Sequence, residues 1–247
     1  FVRLDYWSTL GYTMIYIISL TLIQILICSM VGYGFSRFDF PFKKLLFGCV
    51  IVTIVLPAHV IMLPIYQHFR MWDVFGIIRS IRGEPINLLS QQTPMYLMTI
   101  LGTGLRSGLY IYIFRQFFRG IPRELEEAAY VDGATVTRTF TGIMLPNAVP
   151  AIVTVGLFSF VWQWNDSFYT TMYLPSVKVI ATQLASLPYN LSIKLTSMLG
   201  GSGKADPFYL SMVQDTGILL AMLPLIIMYI FTQRYFVESI ERTGIVG

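Results

Sequence analysis

The sequence predicts an all-α integral membrane protein, a helical bundle with five transmembrane helices in the visible chain. Three observations lead there. Hydrophobic residues make up 55% of the 247 positions and charged residues only 12%, about half the charged share of a soluble domain. A soluble chain of this length disperses itself with charge, so a bilayer is the natural solvent for this one. Five long apolar segments recur along the chain, separated by polar stretches. Aromatic residues reach 15%, many of them near the ends of apolar runs, where Trp and Tyr keep one edge wet at a membrane interface.

A spanning helix needs roughly 20 mostly apolar residues. The first candidate, 10–35, contains no Lys, Arg, Asp or Glu. The second, 45–66, carries Pro57 and Pro64 and should kink or break there. The third, 95–118, holds one charge, Arg106. The fourth is 146–164 and the fifth 216–236. Each is apolar nearly all round, as lipid-embedded helices are. The whole of 1–247 reads as a single transmembrane domain without internal repeats. It begins at Phe1 rather than Met, so a preceding segment is expected.

The connections differ in character. Segment 36–44 is short and basic, 67–94 is longer and mixed, 119–145 is the most charged, and 165–215 is long, polar and rich in Gly, Ser and Asn. If 36–44, 119–145 and the tail after 236 face one side, that side collects Arg37, Lys43, Lys44, Arg119, Arg123, Arg138 and Arg242, with Arg115 and Arg234 at helix ends. The excess marks the cytoplasm. The opposing loops carry Arg70, Arg79, Arg82, Lys178, Lys194 and Lys204 at lower density. The net charge of +4 is dispersed. It suits lipid headgroups rather than a nucleic acid. Cys28 and Cys49 lie inside apolar segments and read as buried free thiols, with neither zinc spacing nor a disulfide framework.

The most informative stretch runs from Pro122 to Ala134. Pro122 suits a first helical turn. Glu124, Glu126 and Glu127 follow where carboxylates offset the positive helix end. Gly133 can take the left-handed conformation that stops a helix. The result is a short helix over 123–132 outside the membrane, with Ala128 and Ala129 forming a low patch that admits a close neighbour. Phe140, Ile143 and Met144 pack inward, and Pro146 opens the next span. On these residues alone, a plain connecting helix and a docking helix are equally good readings. Catalysis by the carboxylates is set aside, because neighbours on an exposed helix lack the burial that would separate their pKa values.

The spacing Glu127-Ala128-Ala129, three residues, Gly133, nine residues, Ile143, one residue, Leu145-Pro146 resembles the signature loop of binding-protein-dependent ABC importer permeases. Pro122, Asp132-Gly133-Ala134 and Pro150 resemble its carbohydrate-uptake, maltose-permease-like branch. The resemblance extends to Tyr33–Phe42, to Trp164-Asn165-Asp166, and to Gln233 through Val237 with the final Gly247. It implies a coupling helix seated in a groove of a cytoplasmic ATPase, with Glu126, Glu127, Ala128, Ala129, Asp132, Gly133, Ile143, Leu145 and Pro146 serving the coupling. The partners so implied are a second homologous permease, two ATPase subunits that bind ATP and Mg, and an external solute-binding protein. They would sit in a bacterial inner membrane around a carbohydrate substrate. The chain itself would bind no cofactor, and it has no GxxxxGK[ST] phosphate loop. The family usually has six spans, so the first would precede Phe1. It often ends in Lys-Gly, where Val246 precedes Gly247 here.

Candidates for the substrate path are Arg106, Tyr110, Tyr112, Trp162, Trp164, Asn165 and Asp166. Arg106 either faces a pathway inside the bundle or sits at the outer surface because the span begins near Gly108. The second reading is preferred. Gly102, Gly104 and Gly108 suggest close packing or a broken helix. Trp162 to Asp166 could stack on sugar rings, but an interfacial anchor is the preferred reading. A non-sugar cargo stays open. A secondary transporter would want intramembrane ion-coupling residues and a repeat, and a membrane enzyme a cluster that the isolated His59 and His68 do not supply.

Overall fold

The computed structural model describes residues 5–74, 76–174, 176–198 and 206–244, with side chains described except at 58, 59 and 234–244. The chain is helical. Helix α1, Tyr6–Arg37, contains no proline and runs unbroken to Phe38, whose extended backbone ends it. It buries Thr9, Thr13, Tyr16, Leu20, Gln24 and Cys28 at helical spacing. Trp7, Ile15, Leu22 and Leu26 stay exposed on the opposite face, which suits lipid.

The second apolar segment divides into α2, Lys43–Val55, and α3, Ala58–Arg70. Leu56 is extended, as a residue before proline prefers to be. The two arms meet at 104°. The expected break therefore falls at Pro57, while Pro64 sits inside α3 without ending it. Cys28 is buried as expected, but Cys49 is exposed, because α2 buries none of its residues. A small helix, α4, Ile77–Arg82, lies between the left-handed Gly76 and Gly83.

The third segment is not one span. It consists of α5, Thr93–Ile100, and α6, Ser107–Gly120, separated by a non-helical stretch. Gly102 and Arg106 both take positive φ there, at 72° and 61°. This corrects the expectation of a continuous helix over 95–118. The glycines had hinted at the break that the apolar composition concealed.

After α6 come α7, Glu124–Val131, and α8, Val136–Thr139, which passes through a π-helical turn, Phe140–Met144, into α9, Leu145–Asn147. Helix α10, Val149–Asn165, then leaves at 77° to the preceding run. Pro146 was expected to open the span. It lies before the bend instead, because Ala148 leaves helical geometry and Pro150 occupies the first turn of α10. The π turn accommodates the donor that Pro146 lacks.

Segment 165–215, expected to be a polar connection, is largely helical. It forms α11, Phe168–Tyr173, and α12, Ile180–Met198, and leads into α13, Pro207–Gly244. Helix α12 buries Ile180, Leu187 and Leu191 and packs on α13 and α1. That apolar stripe outweighs the weak helix propensity of its Ser and Asn. The Gly-Ser run at 199–205 lies outside the described residues, as do Gly247 and the side chains of His59 and of Arg234 through Val237. Among the described residues, α1 and Pro207–Gln233 are each long and apolar enough to cross a membrane. The bent pairs α2/α3 and α8–α9/α10 qualify if each counts as one span.

Two apolar clusters stack along α1. One gathers Tyr6, Ile17, Leu20, Phe160, Trp164 and Tyr173. The other gathers Cys28, Tyr33, Tyr110, Phe114, Phe118 and Met144. Helix α1 packs most extensively on α6, and Gly32 makes the close approach possible. A Cβ at Gly32 would lie 2.6 Å from the Phe114 Cβ and 3.0 Å from the Arg115 backbone nitrogen. Gly32→Ala should therefore cost about 1–3 kcal/mol by overpacking. Gly11→Ala, with nothing within 4 Å of the new Cβ, should cost nothing. Thermal unfolding of the purified protein in detergent checks both.

Candidate functional site

The basic end of the bundle is organised by one carboxylate. Glu126 lies in the first turn of α7 but points into the protein and is 6% exposed. Its Oε1 accepts a hydrogen bond from the Tyr33 hydroxyl at 2.6 Å. Its Oε2 lies 2.8 Å from Arg37 Nε, and the two side chains are 8% and 7% exposed. The Nε–H is directed off the oxygen, so this contact is an ion pair rather than a linear hydrogen bond. Arg37 completes the clasp by donating from Nη2 to the Ile121 carbonyl at 2.6 Å. Tyr33 is held in turn by rings of Phe38, Phe118 and Phe140, with centroids 4.9–5.6 Å away. Loops 36–44 and 119–145 thus meet on one side, as their charge suggested.

Helix α7 stops as expected at Gly133, with φ 78°. The Gly133 amide donates to the Tyr130 carbonyl and the Ala134 amide to that of Ala129, the paired bonds of a Schellman motif. The sequence grouped Glu126 with Glu127 and Ala128 with Ala129, and the fold separates both pairs. Glu127 and Ala128 are exposed, while Glu126 and Ala129 are buried. Asp132 is exposed, Ile143 and Leu145 are half-buried, and Pro146 is exposed at the bend. Val131, 87% exposed, adds an apolar knob beside Ala128 that sequence reasoning missed. The arrangement divides the carboxylates of α7 between a buried ion pair and an exposed face. It offers an outward face of small, acidic and apolar groups, and a rigid tie from its back to α1.

At the other end, a cavity of about 940 Å³ opens between α2, α3, the α5–α6 break and the end of α10. Arg106 lies on its wall, with its guanidinium 4.2 Å from the centre of the Trp162 ring. Such cation–π contacts stabilise a ring and a cation held face to face. Asn165 and Asp166 also line the cavity. Asp166 accepts from the Tyr169 and Thr170 amides and from the Thr170 hydroxyl, capping α11. Burial pushes its carboxyl above the ordinary value, against the lowering influence of those bonds. The other path candidates lie elsewhere. Trp164 is buried against Phe160 and donates to the Ala221 carbonyl on α13. Tyr110 is fully buried among α1 and α6 side chains. Tyr112 stacks on Phe47 of α2. Arg106 and Trp162 thus line the cavity and both are exposed, and α6 begins at Ser107, in keeping with the preferred reading of a span that starts near Gly108.

Removing Glu126 leaves Arg37 charged and buried without its counter-ion. Glu126→Ala should destabilise the protein by about 3–5 kcal/mol, read as a lower thermal midpoint in detergent. Glu127→Ala, on the exposed face, should stay within about 0.5 kcal/mol.

Comparison with known proteins gives the same architecture. Over 94% of the chain, the fold is similar to 75% of a chain from the crystal structure of a bacterial ABC transporter involved in the import of the acidic polysaccharide alginate, with a TM-score of 0.69 and 21% identity. The sequence is 26% identical over 242 residues to the arabinooligosaccharides transport system permease protein AraQ of Halalkalibacterium halodurans, covering 98% of this chain and 75% of AraQ. It is 26% identical to the trehalose transport system permease protein SugB of Mycobacterium tuberculosis, covering 92% and 72%. It is 27% identical to the alpha-glucoside transport system permease protein AglG of Rhizobium meliloti, covering 92% and 53%. Because residues 24–242 match the family profile across both the clasp and the cavity, the chain belongs to the binding-protein-dependent transport system inner membrane components, multi-pass permeases of the bacterial inner membrane.

Proposed function

We propose that this chain forms half of the translocation path of an ATP-driven importer and passes a sugar or oligosaccharide delivered by an external binding protein. The observation that carries the coupling role is the two-faced geometry of α7. Glu127, Ala128 and Val131 face outward, and Glu126 ties the helix back to α1. Small residues on a helix face admit close approach by a groove. The occupant is a cytoplasmic ATPase subunit, one of two, which binds ATP and Mg. A second homologous permease completes the path. Closure of the ATPase dimer pulls α7, and the clasp passes that displacement to α1.

The sugar cargo is supported by the names of the relatives, which transport arabinooligosaccharides, trehalose and alpha-glucosides. The aromatic and hydroxyl groups around the cavity suit a neutral polyol, which wants stacking surfaces and hydrogen bonds rather than a dense charge.

Affinity purification in mild detergent followed by mass spectrometry tests the assembly. Recovery of an ATPase and a second permease supports the importer, and a stable homo-oligomer active without an ATPase overturns it. A sharper test uses α7 itself. Gly133→Pro forbids the left-handed turn and removes the amide that donates to Tyr130. Glu127→Lys reverses the charge of the outward face. Each should lower ATP-dependent uptake at least tenfold while membrane insertion and expression stay normal. Full transport in both variants would end the coupling assignment.

A further inference from the structure

Between the two apolar clusters lies a layer of amide and hydroxyl side chains that the clasp does not use, although Ser107 within it also lines the cavity. Gln24 is at its centre, about 20 Å along α1 from Arg37 at ~1.5 Å per residue. It is 1% exposed, Ser159 is fully buried and Ser107 is 2% exposed. Gln24 Nε2 donates to the Leu105 carbonyl at 2.7 Å and to Ser107 Oγ at 3.0 Å. Its Oε1 accepts from Ser159 Oγ at 2.7 Å and from Gln163 Nε2 at 3.2 Å. Both amide hydrogens and both acceptor positions are therefore engaged.

An apolar side chain could hold α1 against its neighbours about as well, since polar glue inside a bundle adds little on average. It could not put a donor on the Leu105 carbonyl. That carbonyl lies in the α5–α6 break, where backbone groups inside a membrane protein need partners from elsewhere. The next residue is Arg106, whose left-handed backbone persists only when its surroundings hold it. The acceptor side of Gln24 has a matching effect, because Gln163 adjoins Trp162. The two members of the Arg106–Trp162 pair are thus each one residue away from a group bonded to the same amide.

We propose that Gln24 is a positioning residue: by bonding the break through Leu105 and Ser107, and α10 through Ser159 and Gln163, it holds Arg106 on the cavity wall over Trp162.

Thiol labelling at position 106 reads this geometry. The complete complex is reconstituted in lipid nanodiscs with Cys28→Ala and Cys49→Ala, carrying Arg106→Cys as the reporter. Ser80→Cys on the exposed surface of α4 serves as a reference that a general loosening would also move. The probe is a charged, membrane-impermeant maleimide. Gln24→Leu should change the rate at position 106 at least fivefold relative to position 80. Ser107→Ala, which removes one acceptor and leaves Gln24 in place, should shift it in the same direction by less. An unchanged ratio in Gln24→Leu overturns the proposal. If that variant fails to assemble, an unchanged ratio in Ser107→Ala overturns it alone. The labelling does not depend on sugar passing the cavity. A changed ratio with an unaltered KM for uptake, measured with Arg106 intact, supports the positioning role and removes the cavity from the substrate path.

Discussion

A backbone that leaves the helix inside a bilayer loses its hydrogen-bond partners, and water is not there to replace them. Among the described residues this chain leaves it three times within its apolar segments: at Leu56-Pro57, between Ile100 and Ser107, and at Ala148. Each departure has a local remedy. Proline at 57 removes a donor that would otherwise be orphaned. The Ala148 amide reaches both the Met144 and Leu145 carbonyls at 3.0 Å. The α5–α6 break closes with turns from Gly102 to Thr99 and from Thr103 to Met98, and with the Gln24 amide on Leu105. The shape of the bundle follows from where these breaks could be satisfied.

The breaks shape both ends of the bundle. A straight third helix would fill the space now bounded by 102–109, and the cavity would close. The bend at Ala148 turns α8–α9 away from α10 and carries α7 to the basic end of the bundle. Helix α1 has no break and serves as the common reference. Its Thr13 hydroxyl accepts from the Ile180 amide at the head of α12, Gln24 holds the middle, and Tyr33 with Arg37 holds α7.

Electrostatics reinforces this division. The Glu126–Arg37 pair is nearly shielded from water, so its partners are costly to separate and the tie is stiff. The outward carboxylates Glu124 and Glu127 are solvated, and they remain available to another surface. One short helix therefore carries a buried anchor and an exposed acidic face, with successive glutamates set in opposite environments by the 100° turn between residues.

The sequence by itself determined the all-α membrane class, the apolar segments, the stop at Gly133 and the meeting of the two basic loops. Those properties follow from composition, period and local backbone preference, which act within a few residues. Tertiary structure decided the rest. Glu126 and Glu127 are chemically identical neighbours, and only the arrival of Tyr33 and Arg37 makes one of them buried. Gln24 is the sole amide side chain between residues 10 and 35, a signal of some buried role, but its four partners lie on two distant segments. Helix α12 escaped notice because its stability comes from packing on α1 and α13 rather than from propensity. Contacts across 80 to 140 positions cannot be read from a local pattern, and they are what turn a set of apolar helices into a bundle with a cavity at one end and a clasped short helix at the other.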